Sequence, residues 1–145
     1  MKRLTILALF ISALTMGAFA RGKQPVVFDK LPAAVQEEVQ KNFAPADAQL
    51  ITSKKVAPKK LEYEFLFNDG TELKYSNKAQ LISVENKQGV KAALVPEKIQ
   101  TYVQETFPNA TITGYKVSMS KKEIELNDEM ELVFSKKDKF LRIDD

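Results

Sequence analysis

The apolar positions of this chain follow two periodicities, four and then two, and the sequence of periods occurs twice. Leu31, Val35, Val39 and Phe43 recur every four residues, with Gln36, Glu37, Gln40 and Lys41 between them. That is the spacing of one apolar face on an amphipathic helix. Asp29 stands where an N-cap is wanted, Pro32 in the first turn where a missing N–H costs nothing, and Ala44-Pro45 at the end. Val26-Val27-Phe28 ahead of it reads as a short strand or a staple onto the helix. A period of two follows. Leu61, Tyr63, Phe65 and Phe67 alternate with Glu62, Glu64 and Leu66, and Thr71, Leu73 and Tyr75 with Glu72 and Lys74. Both segments are predicted as half-buried strands.

The link Asn68-Asp69-Gly70 sets the register. A two-residue Asp69-Gly70 turn would oppose Phe67 to Glu72 and mix the faces. A three-residue loop instead pairs Phe65 with Leu73 and Tyr63 with Tyr75, with Gly70 left-handed. A four-residue loop, Asn77 to Gln80, then pairs Tyr75 with Ile82 and Leu73 with Val84, and Leu50 to Lys54 supplies an earlier strand.

The second half repeats these elements. Val95-Pro96, Ile99, Val103 and Phe107 stand 64 residues after Leu31-Pro32, Val35, Val39 and Phe43. Asn127 to Phe134 stands 59 residues after Asn68 to Tyr75, so the copy is shorter in the loop around Val56 to Lys60. The same register rule pairs Leu126 with Met130, Ile124 with Leu132 and Phe134 with Leu141, with Tyr115 to Met119 as the earlier strand. The predicted fold is α+β, two tandem helix-plus-antiparallel-meander units at about 26–88 and 90–145, with the helices packed on one face of the sheets. Glu129 stands where Gly70 does, so a left-handed residue there would cost on the order of 1 kcal/mol.

Residues 1–20 are set apart from this domain. Met1-Lys2-Arg3 is basic, Leu4 to Met16 is almost unbroken apolar sequence, and Ala18-Phe19-Ala20 offers small residues for signal peptidase. An export signal cleaved before Arg21 is expected, which leaves no membrane span and places the protein in the periplasm or outside the cell. Losing Lys2 and Arg3 lowers the formal net charge from +3 to +1. The remaining lysines are interspersed with glutamates, so no nucleic-acid partner is expected. With no cysteine there is no disulfide, thiolate metal site, thiol nucleophile or lipoprotein anchor, and with no histidine the commonest general base and transition-metal ligand are missing.

The candidate chemistry lies on the polar strand faces. Glu62, Glu64, Glu72, Glu123, Glu125, Glu129 and Glu131 face outward in the predicted register. Ordinary cross-strand pairing with lysine accounts for them, and a hard-cation site or an acid–base pair would use the same residues. Four apolar residues, Leu66, Leu81, Val133 and Phe140, fall on that carboxylate-bearing side. With Glu64, Lys74, Glu125 and Glu131 they form a mixed surface suited to a protein partner.

Several of these segments resemble the PepSY-like, beta-lactamase-inhibitor-like proteins, many of them exported by Bacteroidetes. They are Leu31-Pro32 before the helix, Phe43, Phe107-Pro108-Asn109-Ala110, and Tyr63-Glu64-Phe65-Leu66-Phe67-Asn68-Asp69-Gly70. The resemblance implies two helix-plus-four-stranded units whose sheets form a continuous curved surface, and a relation to secreted inhibitors that grip an enzyme with the open sheet face. It brings no catalytic residue. The chain departs from the family pattern at Ala79 and Asp138, where a glycine is usual, and in lacking the aromatic that commonly follows. The expected protein is a non-enzymatic binding or inhibitor-like module, monomeric and without cofactor, engaging an envelope or secreted protein. The alternatives are an envelope protein that binds a ligand or cation through the outward carboxylates and, more remotely, a carboxylate-dependent hydrolase.

Overall fold

The computed structural model describes residues 22–127 and 129–144, so the predicted export signal lies outside the described residues. Among them, nine strands form one antiparallel sheet whose spatial order is the chain order. The first half contributes β1 (Lys23–Pro25), β2 (Ala48–Ala57), β3 (Lys60–Phe67), β4 (Glu72–Ser76) and β5 (Leu81–Glu85). The second contributes β6 (Ile112–Val117), β7 (Lys121–Leu126), β8 (Met130–Ser135) and β9 (Phe140–Asp144). Helix α1 (Ala33–Gln40) lies between β1 and β2, and α2 (Glu97–Thr106) between β5 and β6. Pairing of β5 with β6, Val84 opposite Tyr115, joins the halves into one surface.

Val35 and Val39 of α1 and Ile99 and Val103 of α2 are buried in the same cluster as Phe65, Leu73, Val84, Ile124, Leu132 and Phe134 of the sheet. The cluster is continuous across both halves and is the main source of stability, at about 1.5–3 kcal/mol for each large apolar side chain fully buried.

The helices begin later than predicted. Pro32 and Pro96 are the N-cap residues, and Asp29 sits in a separate 3-10 turn, Phe28–Lys30. A residue before proline is driven out of the helical region, and Leu31 is accordingly extended at ψ 156°. In place of a side-chain cap at the N-cap, the amide of Gln36 donates to the Leu31 carbonyl at 2.8 Å, and that of Gln100 to the Val95 carbonyl at 2.7 Å. The first strand is Lys23–Pro25, just ahead of the predicted segment.

The tight hairpins have the predicted register. Phe65 opposes Leu73 and Tyr63 opposes Tyr75, while Leu126 opposes Met130 and Ile124 opposes Leu132. Gly70 is left-handed at φ 85°. In the second loop Asn127 is left-handed, at φ 54°.

The wider turns differ, and the difference reverses two residues. Tyr75 opposes Leu81 rather than Ile82, and Phe134 opposes Phe140 rather than Leu141. Each pairing is followed by a bulge, between Lys74 and Tyr75 and between Val133 and Phe134, which leaves Ile82 and Leu141 as the extra residues. One extra residue moves the turn-proximal end of a strand onto the opposite face. Leu81 and Phe140 therefore pack against the helix-side core and are not on the outer face.

Candidate functional site: the open sheet face

The strand positions that alternate with the buried core residues make up the sheet's second face, and the strand registers order them into rows. One row runs Leu50, Leu66, Glu72, Glu85, Gly114, Glu125, Glu131 and Asp144, each opposite the next on the neighbouring strand. The adjacent row runs Thr52, Glu64, Lys74, Ser83, Lys116, Glu123, Val133 and Arg142. One row is therefore almost wholly acidic from β4 to β9, and the other carries compensating cations.

The compensation is uneven. Glu64 is held by Lys23 and, at 3.2 Å, by Lys74. Burial pushes its carboxyl up, but the two ammonium groups outweigh this and leave it below its usual range. Lys121 pairs with Glu123 and holds it low, and the Arg142 guanidinium donates twice to Asp144, at 2.7 and 3.1 Å. Among the described residues no ion pair reaches Glu72, Glu85, Glu125 or Glu131. Partial burial, and then the neighbouring Glu123 charge, push Glu131 above the usual carboxylate range. Like charges directly opposite one another destabilise a sheet, so the row Glu125–Glu131–Asp144 is held against its own repulsion. Gly114 sits in the middle of the row, and a Cβ there would come 3.1 Å from that of Glu125.

At the other end of the acidic row Leu50 and Leu66 are neighbours, and with Lys23, Thr52, Glu64, Glu72, Lys74, Ser83 and Glu85 they line a groove of about 390 Å³. Leu50 is 39% exposed. It is a site residue that the sequence reading missed, because β2 begins at Ala48 and so turns Leu50 outward beside Leu66.

The predicted surface residues are thus divided. Glu64, Leu66 and Lys74 meet in the groove, and Glu125 and Glu131 lie opposite each other in the distal part of the face. Leu81 and Phe140 are packed against the core cluster. Val133 is on the open face but fully buried, flanked across the strands by Glu123 and Arg142, whose long side chains shield an apolar neighbour well. It offers no contact surface to a partner. Among the described residues no three carboxylates converge closely enough to hold a metal ion. Tyr75 and Tyr115 are pushed up to about 12, by burial first and then by Glu38 and Asp138 respectively, which makes them neutral core phenols.

Three solved structures similar to this chain come from Bacteroides. One, from Bacteroides thetaiotaomicron, is described as "a putative calcium-regulated periplasmic protein" and is 23% identical, covering 85% of this chain and 97% of its own at a TM-score of 0.77. A second, from Bacteroides vulgatus, is described as "a putative periplasmic protein from DUF2874 family", with the same identity and TM-score and coverage of 87% and 99%. A third, also from Bacteroides vulgatus, is 21% identical, covering 86% and 100% at TM-score 0.77. At these identities the likeness is one of fold. No curated protein matches the chain. The family described as "Putative beta-lactamase-inhibitor-like, PepSY-like" matches twice, over residues 19–83 and 61–142, which fits a tandem repeat. The chain belongs to the PepSY-like, beta-lactamase-inhibitor-like family.

Proposed function

We propose that the chain is an exported, non-enzymatic binding module of two tandem units, about 26–88 and 90–145, that engages an envelope or secreted protein through its open sheet face. One observation carries this reading. The face away from the core places two adjacent leucines, Leu50 and Leu66, beside the ordered Lys23–Glu64–Lys74 pairs. An apolar centre with a charged rim is the anatomy of a protein interface. Glu64, Leu66 and Lys74 form the contact, and Glu125 and Glu131 extend it toward β9. The family name supports an inhibitor-like grip, and the neighbours described as periplasmic support the compartment. The test is cross-linked capture from an envelope extract, comparing wild type with Leu50→Asp plus Leu66→Asp. Loss of specific partners is expected, and recovery of the same partners in equal amount sinks the reading.

A second reading, an envelope protein that binds a cation, draws on the carboxylates without ion pairs and on the neighbour described as calcium-regulated. The separation of those carboxylates weighs against it. Calcium titration followed by thermal melting decides: a specific site raises the melting temperature, and an unchanged melt removes this alternative.

A further inference from the structure

A near-neutral chain can still be strongly polar in space. In an antiparallel meander alternate connections lie at the same end, so the links β2–β3, β4–β5, β6–β7 and β8–β9 share one end of the sheet. The first carries Lys54, Lys55, Lys59 and Lys60, all exposed, and the second Lys78. The third carries Lys116, Lys121 and Lys122, and the fourth Lys136, Lys137 and Lys139. Neighbouring tips are tied together: Asn77 Nδ2 donates to the Lys59 carbonyl at 3.4 Å, and Lys136 Nζ to the Ser118 carbonyl at 2.9 Å. Asp138, paired with Lys122, lies within these turns, and Glu62 and Glu123 stand beside them, opposite Lys54 and Lys116. The opposite end carries Asp69, Glu72, Glu85, Glu129, Glu131 and Asp144 against the exposed Lys87 and Lys91, and is net acidic. Two apolar side chains project from the lysine end, Met119 at 95% exposure and Val56 at 42%.

We infer that the lysine-bearing end docks on an anionic bilayer surface, with Met119 entering the headgroup boundary. Lysines held near anionic lipid are each attracted by the surface potential, and an exposed apolar residue among them gains from the acyl boundary. A soluble polyanion would use the lysines and leave Met119 idle, so the apolar apex favours lipid. The acidic end is repelled, which sets the strands end-on to the membrane and leaves the open face free. The inference adds a second surface to the proposed function and does not depend on it.

The test uses the exported protein, its N-terminus verified by mass, in flotation with vesicles of phosphatidylcholine alone or with one-third phosphatidylglycerol. Binding is expected to the anionic vesicles only and to weaken as salt rises. At roughly fivefold per lysine, Lys55→Glu with Lys137→Glu and Lys139→Glu should weaken it at least ~100-fold. Met119→Ser should weaken vesicle binding several-fold and leave binding to inorganic polyphosphate unchanged. Equal binding to neutral vesicles, no binding to either, or full binding by the triple variant overturns the inference. So does a silent Met119→Ser, which assigns the end to a soluble polyanion. If the triple variant does not fold, Met119→Ser and the salt dependence decide.

Discussion

Tyr102 of α2 stacks on Phe140 of β9, ring centroids 4.7 Å apart and planes within 14° of parallel. Phe140 also meets the edge of Phe134 at 5.8 Å. This aromatic trio fastens the last strand to the second helix. Phe140→Ala is therefore expected to destabilise by about 3 kcal/mol, as a partly exposed member of a core cluster should. Thermal melting checks it, and an unchanged melting temperature would return Phe140 to the outer face.

The two wider turns carry stored strain. Ala79 has φ 60° and Asp138 φ 64°. A left-handed non-glycine residue costs roughly 1–2 kcal/mol, partly offset by the extra freedom glycine gives the unfolded chain. Ala79→Gly is expected to raise stability by about 0.5–1 kcal/mol, read from denaturant midpoints. A fall would mean that packing of the Ala79 methyl outweighs the backbone term.

Asn127 shows the opposite solution. Its left-handed backbone suits asparagine, and its side-chain carbonyl accepts from the Thr111 amide at 2.9 Å. Asn127→Ala should cost about 1–2 kcal/mol, and Asn127→Gly less, because glycine loses only the hydrogen bond. Equal melting of the two variants would assign the whole effect to the hydrogen bond.

Two glutamates on one face are expected to respond to pH with opposite signs. Glu64 is held below its usual value of 4.5, so its stabilisation is present above that value and disappears as pH falls through the folded value. Glu131 is held above 4.5, so the folded state favours its protonated form, a contribution present at low pH and lost as pH rises. Glu64→Gln should lower the melting temperature at pH 7, with the gap closing under acid conditions. Glu131→Gln should raise it at pH 7, and that gain should vanish in acid. Parallel pH profiles for the two variants would contradict the assignment.

The sequence by itself determined the elements whose cause is local. Period four places Val35, Val39, Ile99 and Val103 inward, period two does the same for Tyr63, Phe65 and Leu73, and a short loop with Gly70 permits only one register that keeps the faces unmixed. It also identified Glu64, Leu66 and Lys74 as neighbours. Tertiary structure decided everything that depends on one residue more or less, or on which strands meet. The extra residues Ile82 and Leu141 turned Leu81 and Phe140 inward, because a strand's two faces alternate at every residue and a single insertion exchanges them. Pairing of β5 with β6 placed Glu85, Gly114 and Glu125 in one row, across a separation in the chain that no local pattern encodes. The alternation of hairpin ends then gathered the hairpin lysines at one end of the sheet and left the other net acidic, where composition had shown only a balance.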